Sequence, residues 1–168
     1  LFLAGGGVMR AGGGGEEGDE QRRRLEILVA NAGSEEEGVR NVVAECLGVL
    51  AVGDAASLAP RLAEKVSAEN DARTRATSVL AMKYAALALG HSSDDSSALP
   101  VFAEVLPKFV GSIPLRDEDR DVRRAAVQTL SAAAHARPEL ARPILADALP
   151  AVFEQTVIDK SSVRVVDL

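Results

Sequence analysis

Apolar residues recur at helical spacing along much of the chain, most regularly in "EEGVRNVVAECLGVLA", residues 36–51. Their spacing of i, i+3, i+4, i+7, i+8 and i+11 predicts one apolar face of an α-helix. The face comprises Val39, Val42, Val43, Cys46, Leu47 and Leu50. The segment "DVRRAAVQTLSAAA" repeats this template, whereas "TRATSVLAMKYAALAL" places Lys83 at one of the apolar positions. The pattern predicts several similar amphipathic helices.

Two short motifs recur along the chain with a period in the forties. A proline motif appears as "SLAPRL", "EVLPKF" and "DALPAV", and its prolines, Pro60, Pro107 and Pro150, are separated by 47 and 43 residues. A branched residue followed by Arg comes 13 to 15 residues after each proline and also occurs once earlier. These pairs are Val39-Arg40, Thr74-Arg75, Val122-Arg123 and Val163-Arg164. Such a period with two helices per unit is typical of HEAT and armadillo repeats.

The repeats predict an all-α fold, a HEAT/armadillo-type α-solenoid of about three and a half helix-pair repeats. They are expected at about 22–52, 55–90, 98–136 and 138–168, the last being partial. We expect truncation at both ends, because the apolar residues before Leu168 have no following unit to cover them. Residues 1–21 are predicted to be a flexible segment, since glycine at this density costs much entropy to order.

Local chemistry predicts several helix ends. Ser34 and Glu37 have the spacing of a capping box. Pro138 is expected to open its helix at the first position, where no N–H is missed. Pro107 and Pro150 are expected to kink their helices, and Pro60 to lie near the start of a short helix.

Composition narrows the class of partner. Hydrophobic residues make up 47% of the 168 residues but aromatic residues only 3%, so the core must be aliphatic and rich in alanine. A net charge of −6 argues against binding to nucleic-acid phosphates, which requires an excess of Lys and Arg. The single cysteine excludes an internal disulfide and fits a reducing intracellular compartment. No apolar run reaches the roughly 18 residues of a membrane span. We therefore expect neither nucleic acid nor membrane as a partner.

No group of residues has the pattern of a catalytic or metal site. His91, expected in a polar loop, His135, expected at a helix end, and Cys46, expected at a buried helix position, are too few for a zinc site. A Ser-His-Asp triad drawn from "GHSSDD", residues 90–95, is improbable because neighbours in one loop rarely converge. The glycine-rich start lacks the Gly-Lys-Ser/Thr ending of a phosphate-binding loop. We expect no enzyme activity, cofactor, metal or small-molecule substrate.

Two segments resemble a known family. They are "EEGVRNVVAECLGVLA" and "RDVRRAAVQTLSAAAHARPELARPILADALPAVFEQT", which are similar to the C-terminal third of the cullin-associated, neddylation-dissociated proteins. The resemblance covers roughly residues 25–168. It implies a non-catalytic HEAT-repeat solenoid that binds the unneddylated cullin of a cullin–RING ligase core. It also implies a cytoplasmic and nuclear regulator of SCF complex assembly, in the Ubl conjugation pathway, that promotes exchange of substrate receptors. The family's adaptor-displacing hairpin is expected beyond Leu168.

Partner contact is expected on the second helix of each pair, because solenoids bind partners on their concave surface. The candidate partner-binding residues are Asn41, Glu45, Arg73, Arg124 and Gln128.

The arginines of the recurring pairs have acidic residues upstream and are interpreted as a structural ladder that links neighbouring repeats. They are Arg40, Arg75, Arg123 and Arg164.

Two alternative functions remain open. One is a generic HEAT scaffold or an importin-β-like transport receptor, which would bind a small nuclear GTPase in place of a cullin. The other is a small enzyme with its site in the glycine-rich residues 1–20, and deletion of that segment would then abolish function.

Overall fold

A computed structural model describes residues 14–91 and 98–156 of the chain. Within these two ranges the regular structure is entirely helical. The helices are α1 (Gly14–Ala30), α2 (Glu37–Gly53), α3 (Ala55–Lys65), α4 (Ala72–His91), α5 (Leu99–Val110), α6 (Ser112–Leu115), α7 (Arg120–Ala136), α8 (Pro138–Ala141) and α9 (Leu145–Thr156), with a 3₁₀ turn at Arg142–Ile144 between the last two.

The helices pack as successive antiparallel pairs in two layers. The second helices of the pairs, α2, α4 and α7, lie side by side with α4 in the middle. The first helices, α3 and α5, pack against each other in the outer layer, and α1 packs against α2. Each pair thus contacts its neighbours, which is the arrangement of a HEAT-type solenoid. The predicted all-α solenoid is confirmed.

Small residues let the second helices approach closely. Gly48 of α2 lies directly against the backbone of α4, near the carbonyl oxygen of Ala81. A Cβ atom built on Gly48 would lie 2.7 Å from Cβ of Tyr84 and 2.9 Å from N of Ala85, closer than real Cβ atoms come to such neighbours. The two largest fully buried side chains are Phe102 and Phe109 of α5, and most of the other buried hydrophobic residues are Ala, Leu or Val. The interior is therefore aliphatic and alanine-rich, as the composition predicts.

The predicted apolar face of α2 is wrong in its orientation. Val43 and Leu47 are buried, but Val39 is 40% exposed and Val42 is 61% exposed. The buried face instead includes the small residues Ala44, Gly48 and Ala51. The reason is the close contact with α4, which requires small side chains between the two helices.

Residues at equivalent positions in the next two helix pairs show which side of the repeat the exposed Val42 faces. Val42 corresponds to Thr77 of α4 and Ala125 of α7, counted from the recurring arginines, and both of these are buried. Thr77 donates a hydrogen bond of 2.8 Å from its hydroxyl to the carbonyl oxygen of Ala32 in the preceding pair. The exposed side of α2 is thus the side on which α4 and α7 each receive a preceding helix pair.

Helix N-termini are capped mainly by aspartate. Asp71 precedes α4 and accepts hydrogen bonds from the backbone N–H (3.0 Å) and the hydroxyl (2.6 Å) of Thr74. These bonds, the hydroxyl bond first, hold the pKa of Asp71 below its ordinary value. Asp119 precedes α7 and accepts from the backbone N–H of Asp121 and Val122.

The capping box predicted for Ser34 and Glu37 does not form. Helix α2 begins at Glu37, and its N-cap, Glu36, makes no side-chain capping bond. The Ser34 hydroxyl accepts from the Glu36 N–H at 3.3 Å, one residue too early for a capping box. Instead the Arg40 guanidinium bridges the preceding loop by donating from Nη1 to the carbonyl oxygens of Ser34 and Glu35.

The prolines occupy three different positions in their helices. Pro138 is the first residue of α8, as predicted. Pro107 and Pro150 lie inside α5 and α9. Pro60 lies in the middle of α3, contrary to the prediction that it lies near the helix start, because α3 already begins at Ala55.

Other boundaries also differ from the predictions. Helix α1 begins at Gly14, so residues 14–21 of the predicted flexible segment, residues 1–21, are helical. Repeated acids before Arg24 favour this extension, since they suit a helix N-terminus, and Glu20 pairs with Arg24 one turn later at 3.1 Å. His91 is the last residue of α4 and is not in a loop. Residues 1–13, Arg164 and the other residues beyond 156 lie outside the described ranges.

Candidate partner-binding groove

An open groove of about 300 Å³ crosses the layer of second helices. Below it is called the three-helix groove. Its lining comes from α2, α4 and α7: Glu37, Arg40, Asn41, Ala76, Thr77, Leu80, Lys83, Tyr84, Asp121, Arg124, Ala125 and Gln128. The groove follows from the repeat itself, because the same helix positions in consecutive pairs face the same side of the stack.

The three helices contribute different chemistry at equivalent positions. One residue after the recurring arginine come Asn41, Ala76 and Arg124. Four residues further on, one helical turn away, come Glu45, Leu80 and Gln128 in the same order of helices. At these two positions α2 supplies an amide and an acid, α4 supplies two apolar side chains, called the floor below, and α7 supplies a base and an amide, called the basic wall. The groove lining also includes Arg40 on α2 and Asp121 on α7.

The structure brings three of the five predicted partner-binding residues to this groove. Asn41, Arg124 and Gln128 line it and are exposed. None of the three side chains forms a hydrogen bond or ion pair with another residue in the described ranges. Their polar groups are thus available to an external partner.

The other two predicted residues lie outside the groove lining. Glu45 is exposed on α2, one turn beyond Asn41 on the same side of the helix. Arg73 lies in the first turn of α4, where Nη1 is 3.7 Å from Oε1 of Glu35, and both side chains are largely exposed. This pair spans the first and second helix pairs at their edge.

Lys83 and Tyr84 are among the groove residues that sequence reasoning did not propose as partner contacts. The Lys83 ammonium lies 4.4 Å from the centre of the Tyr84 ring, a cation–π contact at the end of the floor. The available signal was Lys83 itself, which interrupts an otherwise apolar template. A charged residue at a normally apolar repeat position indicates a site where the helix surface faces solvent or a partner.

An ion pair beneath the surface joins the two helix pairs that form the floor and the basic wall. Arg75 donates from Nε to Oδ2 of Asp117 at 3.0 Å and from Nη2 to Oδ1 at 2.7 Å. Its Nη1 donates to the carbonyl oxygen of Asn70 at 2.7 Å. Arg75 is buried, with only 4% of its surface exposed. The hydrogen bond to Asp117 is the main reason why the pKa of Arg75 is raised above its ordinary value.

The predicted arginine ladder is present at this one step within the described ranges. Arg123 resembles Arg40 and donates from Nη1 to the carbonyl oxygens of Asp117 and Glu118 in its own preceding loop. The recurring arginine thus orders the loop before each second helix, and only Arg75 also forms an ion pair with the next repeat.

The remaining candidate residues have ordinary surroundings. Nδ1 of His135 lies 2.8 Å from the carbonyl oxygen of Ser131, one turn earlier in α7. Cys46 is half-buried and does not have the buried position that was predicted, because the apolar face of α2 is rotated. Among the described residues, no group of three or more His, Cys, Asp or Glu could hold a metal ion. The same part of the chain contains no helix with the length and apolar character needed to cross a membrane.

Comparison with known proteins finds relatives from different organisms whose names agree with one another. The chain is 41% identical over 145 residues to cullin-associated NEDD8-dissociated protein 1 of Arabidopsis thaliana, covering 86% of this chain and 11% of the relative. It is 34% identical over 142 residues to cullin-associated NEDD8-dissociated protein 2 of Mus musculus, covering 84% and 11%. It is 33% identical over 138 residues to the C-terminal part of cullin-associated NEDD8-dissociated protein 1 of Emericella nidulans, covering 80% and 12%.

The chain spans about a tenth of the length of the curated relatives it matches. No family model matches the chain, and no solved structure matches it. The similarity nevertheless extends over both described ranges, including the second helices that form the three-helix groove.

Proposed function

The chain belongs to the family of cullin-associated NEDD8-dissociated proteins, and on that premise we propose that it is a non-catalytic module that binds a cullin scaffold. The observation that carries the proposal is the similarity over more than four-fifths of the chain to relatives whose names state association with cullins. The relatives reported above all carry such names. This favours cullin binding over the importin-β-like alternative.

The three-helix groove is the proposed contact surface. Asn41, Arg124 and Gln128 line it with polar groups that have no partner in the described part of the chain. Lys83 and Tyr84 add a cation and an aromatic face. Arg and Tyr are residue types enriched in protein–protein interfaces. A groove of this kind suits binding of another protein better than conversion of a small molecule.

The stack of helix pairs supports binding by shape. The close contact of α2 with α4 at Gly48 and the Arg75–Asp117 ion pair fix the positions of the groove walls relative to one another. A preorganised surface loses little conformational entropy when a partner binds. The proposed mechanism is therefore docking onto a largely preformed surface, with no cofactor and no covalent step.

We further propose that binding prefers the unneddylated cullin and contributes to the exchange of substrate receptors during cullin–RING ligase assembly, in the cytoplasm and nucleus. A chain of this size would supply part of the contact made by its much longer relatives. Neddylation would weaken binding if it changed the cullin surface that faces the groove.

A receptor-release assay tests the exchange step. An unmodified cullin–RING core carrying a fluorescently labelled adaptor and substrate receptor is mixed with the 168-residue chain, and in parallel with a full-length relative. The full-length relative is expected to accelerate receptor release. The 168-residue chain is expected to bind the core and to accelerate receptor release less. If the chain instead bound a small nuclear GTPase and not the cullin core, the transport-receptor alternative would replace this proposal.

A further inference from the structure

A second hollow, of about 410 Å³, lies beside the three-helix groove on the neighbouring face of α7. Five of the residues that line it come from α7 at the spacing i, i+3, i+4, i+7 and i+8, which places them on one side of the helix. One more comes from the end of α9. The lining consists of Arg120, Arg123, Arg124, Val127, Gln128 and Gln155. Below, this site is called the arginine hollow.

The arginine hollow is positively charged. Three arginines line it, and within the described part of the chain no acidic residue does. The chain as a whole carries 25 Asp and Glu against 19 Lys and Arg, a net charge of −6. The lining is therefore opposite in sign to the overall charge, and a local concentration of one sign of charge in a concave site attracts groups of the other sign.

The acids next to these arginines in the sequence do not neutralise the hollow. Asp119 accepts hydrogen bonds from two backbone N–H groups at the start of α7. Asp121 lines the three-helix groove, and Glu118 lines neither site. The exposed side chains of Arg120 and Arg124 form no hydrogen bond or ion pair with another residue in the ranges that the structure describes. Both guanidinium groups are thus available to an external anion.

The remaining lining suits a peptide better than a bare ion. Val127 is half-buried and offers an apolar contact. The exposed Gln128 amide can donate to or accept from a backbone peptide group. Gln155 donates from Nε2 to the carbonyl oxygens of Leu115 and Ala151, which orients its side chain and leaves Oε1 as an acceptor. The hollow thus combines cations, amides and a small apolar surface.

The spacing of the two available arginines matches that of carboxylates on an extended chain. Arg120 and Arg124 are four residues apart, which is about 6 Å along the helix axis. Alternate side chains of an extended chain point to the same side and lie about 6.6 Å apart. A guanidinium group can hold a carboxylate through two parallel hydrogen bonds. Acidic residues at alternate positions therefore fit this face of α7.

From these observations we infer that the arginine hollow binds an extended acidic segment of the cullin partner, whose carboxylates pair with Arg120 and Arg124. The inference rests on the proposed function and adds a second contact together with its chemistry. Arg124 and Gln128 line both sites, so the two contacts are continuous along α7. A nucleic acid is a poorer occupant, because the net charge of −6 opposes the approach of a long polyanion.

Charge reversal in the arginine hollow tests the inference. The probe is an unmodified cullin–RING core, titrated with the 168-residue chain and with Arg120→Glu, a residue that does not line the three-helix groove. Arg120→Glu is expected to weaken binding by about tenfold or more and to make it less sensitive to salt. Arg142→Glu is the matched control, since it makes the same change in net charge at an exposed residue outside both sites, and should change the affinity less than about twofold.

The outcomes separate this inference from the proposed function. Unchanged binding by Arg120→Glu, or equal weakening by Arg142→Glu, overturns the inference and leaves cullin binding intact. Failure of the parent chain to bind the core overturns the proposed function, and this inference with it. Circular dichroism of both variants should match that of the parent, because each substitution is at an exposed side chain.

A labelled peptide of alternating Glu and Ala tests the chemistry of the occupant directly. It should bind the parent and not Arg120→Glu, and a peptide with Gln in place of Glu should bind neither. Binding of inorganic phosphate without binding of the Glu peptide would overturn the inference. Asp159 and Asp167 lie outside the described ranges. If replacing both with Asn raised the affinity for the Glu peptide by about tenfold, the occupant would be the chain's own C-terminal residues and the inference would be wrong.

Discussion

Arg75 and Asp117 join the second and third helix pairs through two hydrogen bonds, at 3.0 and 2.7 Å, between side chains that are almost completely removed from solvent. The two residues are 42 positions apart in the sequence, close to one repeat period. This ion pair holds the floor of the three-helix groove against its basic wall. It is therefore the polar interaction whose loss should most affect the stack.

Removing one partner of this pair should destabilise the protein strongly. Arg75→Ala leaves the Asp117 carboxylate buried without its counter-charge, which we expect to lower the free energy of unfolding by about 3 kcal/mol. Urea denaturation followed by circular dichroism measures this change. Arg73→Ala is the matched control, because its partner Glu35 is 3.7 Å away and exposed, and the expected loss is below about 0.5 kcal/mol. Equal losses in both variants would contradict the structural role of Arg75.

The rotated face of α2 makes a prediction about two adjacent valines. Val43→Asp places an unpaired charge among buried residues and should cost about 3 kcal/mol or more. Val42→Asp introduces the same charge at a side chain that is 61% exposed and should cost less than about 0.5 kcal/mol. Thermal unfolding of the two variants decides the point. Comparable losses in the two variants would support the sequence-based face of α2, which contains both valines.

The close approach of α2 to α4 predicts that two glycine substitutions differ in sign. Gly48→Ala places a methyl group against Tyr84 and Ala85 and should destabilise by about 2 kcal/mol, despite the better helix propensity of alanine. Gly38→Ala, also in α2, meets nothing within 4 Å and should stabilise by about 0.5 kcal/mol. Denaturant midpoints of both variants test this. Stabilisation by Gly48→Ala would show that the helices are further apart.

The Asp71 cap predicts a pH dependence with a definite sign. Because the folded-state pKa of Asp71 lies below its ordinary value of 3.8, its contribution is fully present above pH 3.8. That contribution is lost as the pH falls through the folded-state pKa. The difference in unfolding free energy between the parent and Asp71→Ala should therefore be about 1 kcal/mol near pH 7 and vanish at lower pH. Glu69→Gln, nearby and not a cap, should give the parent's profile, and a constant difference for Asp71→Ala would contradict the cap.

Most of the architecture could be predicted from the sequence, because two independent motifs recur in each repeat. The proline of the first helix and the Arg75-type arginine of the second recur at fixed separation, which places consecutive pairs in register. Aligning the second helices on that arginine also identifies which residues share a surface. This is why the sequence places Asn41, Arg124 and Gln128 on one surface, and their contact with a partner stays a prediction.

The predictions failed where small residues decide the packing. Hydrophobic periodicity gives weight to Val39 and Val42 and almost none to Gly48, yet Gly48 lies directly against the backbone of α4. The same rotation explains why Cys46 is only half-buried. Lys83 and Tyr84 were not predicted as groove residues, because hydrophobic periodicity treats a charge in an apolar template as a departure from the pattern. Both residues lie in the groove lining.

The most direct measurement is a binding titration of the 168-residue chain against an unmodified cullin–RING core and against its neddylated form, with a full-length relative alongside. Saturable binding to the unmodified core, weaker for the neddylated core and lost together with the charge of Arg124, is the predicted result. No binding by the chain under conditions in which the full-length relative binds would contradict the proposed cullin contact in these helix pairs.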